Sequence, residues 1–299
     1  MMRRTLLAGI TALPLVVSCS PDVPQVSGEF GDPPTIEAPS TTPDEAAHEV
    51  AIDGDGPKID EGSLIAVQLL THPVAESGEL EDPIASSFEQ DSETLLTHSE
   101  FTELFPEDDG PDGLRVGSRV VNVLPAGETD GRGGDGTSNS ALISVMDIVD
   151  AYPSDAEVSG TPDEDLALDN GVDLSDPSSP APQDGAQPPE QTRALPLVKG
   201  DGPEIPEQGQ LVVQFRGLTW EDGTVFDTTW QGGQPPIALP LGQDAMIDAW
   251  DTALPGHTVG SRLLLLVPPE EGYGPEGNPD VGISPNESLI YVIDILGVH

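Results

Sequence analysis

The amino-acid sequence predicts an α+β protein made of two copies of one fold, each an antiparallel β-sheet wrapped over one short helix. Strand-like apolar runs alternate with turns, and one helix-like period interrupts them. Short motifs recur in the same order at offsets of 143 to 147 residues: Gly54–Pro57 with Gly200–Pro203, Val116–Arg119 with Val259–Arg262, and Leu142–Asp147 with Leu289–Asp294. Each copy covers about 100 residues, which is enough chain for its own hydrophobic core.

The second copy carries the clearest strand signals. From Leu211 to Phe215 apolar residues alternate along the chain, as in a half-buried strand. Glu221–Thr224 contains the glycine that a tight hairpin turn favours. Two later runs, 261–269 and 288–298, are apolar at almost every position, which is typical of central strands.

The helix of the second copy is predicted over Asp244–Leu254. Within it Met246, Ile247, Trp250 and Leu254 recur at helical spacing. A Pro-Gly pair follows directly and ends the run. We therefore expect about three turns of amphipathic helix lying on the sheet.

The N-terminus predicts export and lipid anchoring. Residues 1–18 have two arginines followed by an apolar run, which is typical of a signal peptide. Cys19 comes directly after the segment Val-Val-Ser, as the lipidated cysteine of a bacterial lipoprotein does. The sequence therefore predicts an extracytoplasmic protein that is anchored to the cell membrane through Cys19. Because Cys19 is the only cysteine, a disulfide and a thiolate metal cluster are excluded.

Two segments rich in proline and carboxylates are predicted to be disordered. Residues 19–50 are expected to form a tether, and residues 153–194 an acidic linker in which ten carboxylates accompany one arginine. These boundaries leave residues 51–152 and 195–299 as the two folded domains.

Composition and spacing argue against several kinds of site. The net charge of −44 would repel nucleic-acid phosphates. The five histidines show no metal-ligand spacing, so no metal is expected. Residues 131–136 fit the glycine pattern of dinucleotide sites, but a strand-like run follows them instead of a helix. No cofactor is therefore predicted.

Five motifs follow one another in the second copy: Val225–Thr229, Leu241–Trp250, Val259–Arg262, Tyr273–Gly274 and Ile283–Asn286. In this order they resemble the FKBP family of peptidyl-prolyl cis-trans isomerases. The resemblance implies two FKBP-like domains and an apolar pocket in the C-terminal one. Its catalytic residues would be Phe226, Asp227, Trp250, Tyr273 and Tyr291. Its substrate-binding residues would be Phe215, Ile237, Met246, Ile247 and Ile283.

The same resemblance implies rotation of Xaa-Pro bonds in exported proteins, without covalent chemistry. Proline-containing polypeptides and macrolides would be the ligands. The family commonly has Tyr at the position of Phe215, and often Arg within the segment here occupied by 231–234, so Asp227 lacks two usual partners. The alternative is a lipoprotein whose FKBP-like domains bind peptides or a partner protein without catalysis.

The first copy resembles the family in fold but not in its pocket. Ile84 and Ala85 stand where the second copy has Phe226 and Asp227, and Ser144 stands where it has Tyr291. This copy has no tryptophan, and its helix is expected over Glu100–Phe105. The first domain is therefore predicted to be a non-catalytic copy.

Overall fold

The computed structural model describes residues 23–88, 92–105, 110–111, 113–126, 140–175, 180–243 and 246–299. The first half contains β1 (Val26–Ser27), β2 (Thr35–Ile36), β3 (Ala47–Ile52), β4 (Leu64–Val74), β5 (Ala85–Ser86), β6 (Thr94–Thr97), α1 (His98–Thr102), β7 (Arg119–Leu124) and β8 (Ala141–Tyr152). The second half contains α2 (Glu164–Asp169), β9 (Val172–Asp173), β10 (Ala181–Pro182), β11 (Arg193–Val198), β12 (Gly209–Thr219), β13 (Val225–Thr228), β14 (Ile237–Leu241), α3 (Asp248–Ala253), β15 (Arg262–Val267) and β16 (Leu289–Val298).

Two six-stranded antiparallel sheets have the same strand order. The first runs β3-β7-β8-β4-β5, with β6 also paired to β4. The second runs β11-β15-β16-β12-β13, with β14 also paired to β12. In each sheet one short helix comes directly before the second-last strand in sequence, α1 before β7 and α3 before β15. The predicted repetition of an antiparallel α+β unit is confirmed at this level.

The repeated glycine motifs lock the same corner of each unit. A side chain on Gly54 would collide with the carbonyl oxygen of Val116, and one on Gly200 with that of Val259. The N–H of Gly54 donates to Ser118 Oγ, and the N–H of Gly200 donates to Ser261 Oγ, both at 3.0 Å. The close approach of backbone to backbone explains why the motif is glycine in both copies.

Each helix lies on one face of its sheet and closes a hydrophobic core. Trp250 and Leu254 of the α3 region pack against the front of the second sheet. Phe101 of α1 and the nearby Phe105 pack against the front of the first, with their ring centroids 5.2 Å apart. The observed helices are shorter than predicted, because α3 begins at Asp248 and α1 ends at Thr102. Ile247 precedes α3 in extended conformation. The apolar period that included Ile247 therefore predicted too long a helix.

The prediction that the tether is disordered is wrong for residues 23–50. Strands β1 and β2 form a hairpin, and Val23, Val26 and Ile36 pack on the back of the first sheet. Strand β3 begins at Ala47 and pairs with β7, so the folded unit begins before residue 51. Composition suggested disorder, but a few apolar residues suffice here because the back of the sheet is itself apolar.

The prediction of a disordered linker is also wrong for the described part of residues 153–194. Helix α2 and the β9-β10 hairpin cover the back of the second sheet. Ala167, Val172 and Leu174 are buried there against Trp220 and strands β15 and β16. We call residues 153–175 and 180–192 the back cover of the second domain.

Each covering segment is held by an arginine–aspartate ion pair, and the two pairs lie at equivalent positions of the two sheets. Arg119 makes a bidentate contact with Asp147 at 2.6 and 2.7 Å, and Arg262 does so with Asp294 at 2.5 and 2.6 Å. Each aspartate also accepts a backbone N–H from the segment that precedes its domain, from Gly31 at 2.7 Å or from residue 158 at 2.8 Å. Charge-assisted bonds of this kind compensate burial of the carboxylates.

The two units contact each other at one end of their sheets. Leu64 and Tyr152 of the first unit share a buried cluster with Val212 of the second. The Tyr152 hydroxyl lies 2.7 Å from Nε2 of His299. Within the described residues, no helix combines the length and the apolar character needed to cross a lipid bilayer.

Candidate functional site

The site is built around Trp250, which α3 places against the front of the second sheet. The side chain is fully buried, and its indole N–H has no partner among the described residues. Phe215 of β12 and Tyr291 of β16 each meet it edge-on, with ring centroids 5.5 Å away. Such T-shaped contacts fix ring orientation as well as burying apolar area. Trp250 is therefore the floor of an aromatic cluster.

Phe226 forms one side of this cluster because of the pairing of β12 with β13. Its ring lies 5.6 Å from that of Tyr291, at 89°. Both rings lie over Gly217, where a Cβ atom would come within 2.6 Å of Phe226 and 2.9 Å of Tyr291. Gly217 was not predicted to matter. Its signal was a glycine inside a strand, which indicates close approach of another group.

The remaining predicted wall residues gather at the same place. Ile283 is buried in the core cluster that contains Trp250. Four half-buried side chains pack against that cluster: Ile237, Met246, Ile247 and Tyr273. The structure thus brings together all ten predicted pocket residues except Asp227 in one apolar group, part of which reaches the surface.

Asp227 is exposed and lies beside the two tyrosines of the site. Burial raises the pKa of the Tyr273 hydroxyl, and the negative charge of Asp227 raises it further. Burial raises the pKa of Tyr291 well above its ordinary value, with smaller contributions from Tyr273 and Asp227. Both hydroxyls are therefore protonated at neutral pH and can act as hydrogen-bond donors.

The loop after β15 positions Tyr273. Its backbone bends through bonds from Gly274 N–H to the carbonyl of Pro269 and from Gly277 N–H to the carbonyl of Tyr273. A smaller contribution from the side chain of Asn278 acts in the opposite direction and lowers the pKa of Tyr273. Asn278 was not predicted, and a lone asparagine in a loop gives no specific signal.

Ile247 supplies a second donor. It caps α3 in extended conformation, with φ −64° and ψ 146°. Among the described residues no acceptor receives its backbone N–H. Unpaired N–H groups at a helix start favour binding of a carbonyl or an anion.

The front of the first sheet differs at the equivalent positions. In the second sheet Gly217 pairs with both Tyr291 and Asp227. At the same place in the first sheet Thr71 pairs with Ser144 and Ala85. The hydroxyls of Thr71 and Ser144 lie 2.9 Å apart. A hydrogen-bonded polar pair thus stands where the second domain has aromatic rings.

Two surface cavities of the second domain are less suited to an apolar ligand. One of about 380 Å³ has polar walls that include Gln183, Asp184 and Glu287. The other, of about 590 Å³, lies beside the end of α3 and is lined by Thr252, His257 and Glu271 among others. Among the described residues no group of three or more His, Asp or Glu could hold a metal ion. Cys19, the predicted lipidation site, lies outside the described residues.

Comparison with known proteins points to one family. The family model described as FKBP-type peptidyl-prolyl cis-trans isomerase matches residues 202–296. An FK506-binding protein of Streptomyces anulatus is 35% identical over 115 residues, which are 38% of this chain and 91% of that protein. The peptidyl-prolyl cis-trans isomerase Fkbp12 of Drosophila melanogaster is 33% identical over 107 residues, which are 36% of this chain and 97% of that protein.

A crystal structure of a peptidyl-prolyl cis-trans isomerase from Pseudomonas syringae pv. tomato is 28% identical, with a TM-score of 0.31. The match covers 35% of this chain and 73% of that one. Residues 202–296, which the family model matches, include the helix and most of the strand residues that carry the aromatic cluster. Through its C-terminal domain the chain belongs to the FKBP-type peptidyl-prolyl cis-trans isomerases.

Proposed function

We propose that this isomerase rotates Xaa-Pro bonds of exported polypeptides in the apolar pocket around Trp250. The observation that carries the proposal is the convergence of Phe215, Phe226 and Tyr291 on that indole. No second catalytic site is proposed, since the first sheet has Thr71 and Ser144 at the equivalent positions.

The chemistry needs no nucleophile. Resonance keeps the peptide bond planar against a barrier of about 18–20 kcal/mol. The planar amide is more polar than the twisted one, so an apolar pocket disfavours the ground state more than the transition state. The aromatic walls formed by Phe226, Trp250 and Tyr291 would supply this environment. Ile237, Met246 and Ile283 would complete it around the proline ring.

Two donors would orient the substrate. The Tyr273 hydroxyl stays protonated because burial raises its pKa, and the N–H of Ile247 is unpaired among the described residues. Each can hold one carbonyl oxygen of the peptide. A donor that is better aligned with the twisted carbonyl than with the planar one lowers the barrier. Asp227 would act on the same region by its charge.

The first domain would serve as a non-catalytic unit. The observation that supports this is that its equivalent positions hold no aromatic side chains. The relatives are named for binding FK506, and we propose that this chain accepts a macrolide of that class in the same pocket. We also propose that Cys19 is lipidated and that the protein is held outside the cell membrane. The arginines, the apolar run and the cysteine of residues 1–19 support this.

The test compares two matched variants of the chain from Ser20 to His299. Phe226→Ala removes a half-buried pocket wall, and Ile84→Ala removes the residue at the corresponding place in the first domain. The cis-to-trans rate of a Leu-Pro tetrapeptide should rise in proportion to protein concentration. Phe226→Ala should lower kcat/KM on the order of tenfold, equivalent to about 1.4 kcal/mol, while Ile84→Ala should leave it unchanged.

Three outcomes would count against the proposal. Equal activity of Phe226→Ala and the unmodified chain would place catalysis elsewhere. Loss of activity in Ile84→Ala alone would place it in the first domain. A peptide that quenches tryptophan fluorescence without faster isomerisation would favour the alternative of a binding module. Incorporation of labelled fatty acid, and its loss in Cys19→Ala, tests the anchor separately.

A further inference from the structure

We infer that Asn286 is a positioning residue for Tyr273. Its left-handed backbone fastens the loop that carries the Tyr273 hydroxyl to the strand that carries Tyr291. This inference rests on the proposed function, in which that hydroxyl holds a carbonyl oxygen of the substrate. Asn286 need not touch the substrate, because it acts through the tyrosine.

Asn286 has an unusual backbone conformation. Its φ angle is 56°, and among the described residues it alone has a positive φ without being glycine. A residue with a Cβ atom disfavours this left-handed region, and asparagine tolerates it better than most residues do. The side chain of Asn286 is exposed and makes no hydrogen bond to another described residue. The backbone conformation therefore accounts for an asparagine at this position.

The left-handed conformation lets the N–H of Asn286 face the loop of Tyr273. This N–H donates to the carbonyl oxygen of Gly274 at 3.0 Å. Gly274 directly follows Tyr273 in the chain and is itself left-handed, with a φ of 61°. The hydrogen bond thus fixes the backbone of the residue next to the tyrosine.

The chain that follows Asn286 is held firmly. The next residue, Glu287, is buried, and its carboxylate accepts the N–H of Glu221 at 3.0 Å. Strand β16 begins two residues later and brings Tyr291 into the aromatic cluster. Because one side of Asn286 is fixed in this way, its N–H can hold the facing loop at a set distance from the strand.

Other backbone contacts join the same two segments farther from Tyr273. Asn278 and Ile283 exchange two N–H···O bonds of 2.9 Å each. A Cβ atom on Gly277 would lie 2.5 Å from the carbonyl oxygen of Ser284, so the two backbones touch there. These contacts hold the far end of the loop. The left-handed residue supplies the contact that acts directly beside the tyrosine.

The position of the Tyr273 hydroxyl decides how well it can hold a substrate. Tyr273 is half-buried and packs against the cluster that contains Trp250. A hydrogen bond weakens steeply when its angle is poor. A displacement of about 1 Å at a reacting centre can lower a rate by up to about a hundredfold. We therefore expect activity to fall when the bond to Gly274 is weakened.

The experiment compares two substitutions of Asn286 in the chain from Ser20 to His299. Glycine adopts the left-handed conformation readily, so Asn286→Gly should keep kcat/KM for a Leu-Pro tetrapeptide within about twofold. Alanine disfavours this conformation, so Asn286→Ala should lower kcat/KM about fivefold. Ser284→Ala is the matched control and should leave kcat/KM unchanged, because Ser284 is an exposed polar residue of the same loop without a positive φ.

A double-mutant cycle tests whether Asn286 acts through the tyrosine. Tyr273→Phe removes the hydroxyl and should by itself lower kcat/KM. In the Tyr273→Phe background, Asn286→Ala should lower kcat/KM by less than about twofold, because no hydroxyl is left to position. Circular dichroism and the melting temperature check that every variant is folded.

Equal activity of Asn286→Ala and the unmodified chain would overturn the inference. So would an equal loss in Asn286→Gly, which would assign the effect to the asparagine side chain. Losses that multiply in the double variant would also overturn it, because Asn286 would then act independently of Tyr273. Any of these results with an active unmodified chain leaves the proposed function intact and refutes only the inference. If the unmodified chain does not accelerate the Leu-Pro peptide, the proposed function itself fails and the role of Asn286 falls with it.

Discussion

Gly217 is the single residue that best distinguishes the front of the second sheet from that of the first. Its missing side chain leaves the space over which Phe226 and Tyr291 pack. Thr71 occupies the same place in the first sheet and bonds to Ser144 instead. One side chain at this position therefore excludes the aromatic pair, because a Cβ atom would overlap both rings.

Replacing Gly217 with Ala should damage the pocket more than the fold. The added methyl group must displace one of the rings, at a cost of about 1–3 kcal/mol. We expect kcat/KM to fall at least tenfold while the circular dichroism spectrum is unchanged. A Gly217→Ala variant with full activity would show that the rings can move aside and that their positions do not matter.

The tyrosines of the pocket predict how stability depends on pH. Burial raises the pKa of Tyr291 and of Tyr273 above about 10, the value for an unfolded chain. Their contribution to stability is complete below pH 10 and is lost as the pH rises toward the folded values. The urea midpoint should therefore fall above pH 10. Tyr291→Phe should flatten that fall, and an identical decline in this variant would contradict the assignment.

At the scale of elements, each sheet is covered on both faces. The helix and the aromatic cluster cover the front, and the chain segment before the domain covers the back. Strands β15 and β16 are apolar on both faces for this reason. A domain cut at Leu195 would expose Leu218, Trp220 and the back-facing residues of β15 and β16 to water.

Fragments test the role of the back cover. A fragment 195–299 should bind a hydrophobic dye such as ANS and unfold several degrees below a fragment 153–299, because it loses part of its buried apolar area. Both contain all residues of the aromatic cluster. Equal melting temperatures and no dye binding by the shorter fragment would show that the cover adds nothing to stability.

At the scale of the whole molecule, the two units share a small interface. Tyr152 packs directly over Gly297 of β16, where any side chain would overlap its hydroxyl. The same hydroxyl contacts His299, whose imidazole also lies 3.6 Å from the carboxylate of Glu93 in the first unit. Small, partly polar contacts of this kind permit domain motion once they are weakened.

Gly297→Ala should therefore separate the units without unfolding them. The expected result is a larger radius of gyration in X-ray scattering, with peptidyl-prolyl isomerase activity retained. Tyr152→Ala, which removes the hydroxyl contact with His299 and the packing on Val212, should enlarge the radius in the same way. An unchanged radius in Gly297→Ala would mean that the interface absorbs a methyl group.

Much of this protein follows from its sequence alone. The repeated motifs indicate two similar units, and the alternation and apolar runs place most strands of the second one. The resemblance of the motifs in the second copy to one family implies a pocket formed by Phe226, Trp250, Tyr273 and Tyr291. These features depend on neighbouring residues or on the order of motifs along the chain. They can therefore be predicted from sequence patterns and from resemblance to a family.

Tertiary structure alone decided three further matters. Residues 23–50 and 153–194 have the composition of disordered segments. Their described parts are nevertheless folded, because Val26, Ile36, Val172 and Leu174 pack against apolar faces of the sheets. The helix α3 is shorter than its apolar period predicts, since Ile247 packs against the Trp250 cluster in extended conformation. The need for glycine at 217 arises from rings that come from β13 and β16. Whether such a segment is buried depends on the surface it packs against. The composition of the segment alone does not show which surface that is.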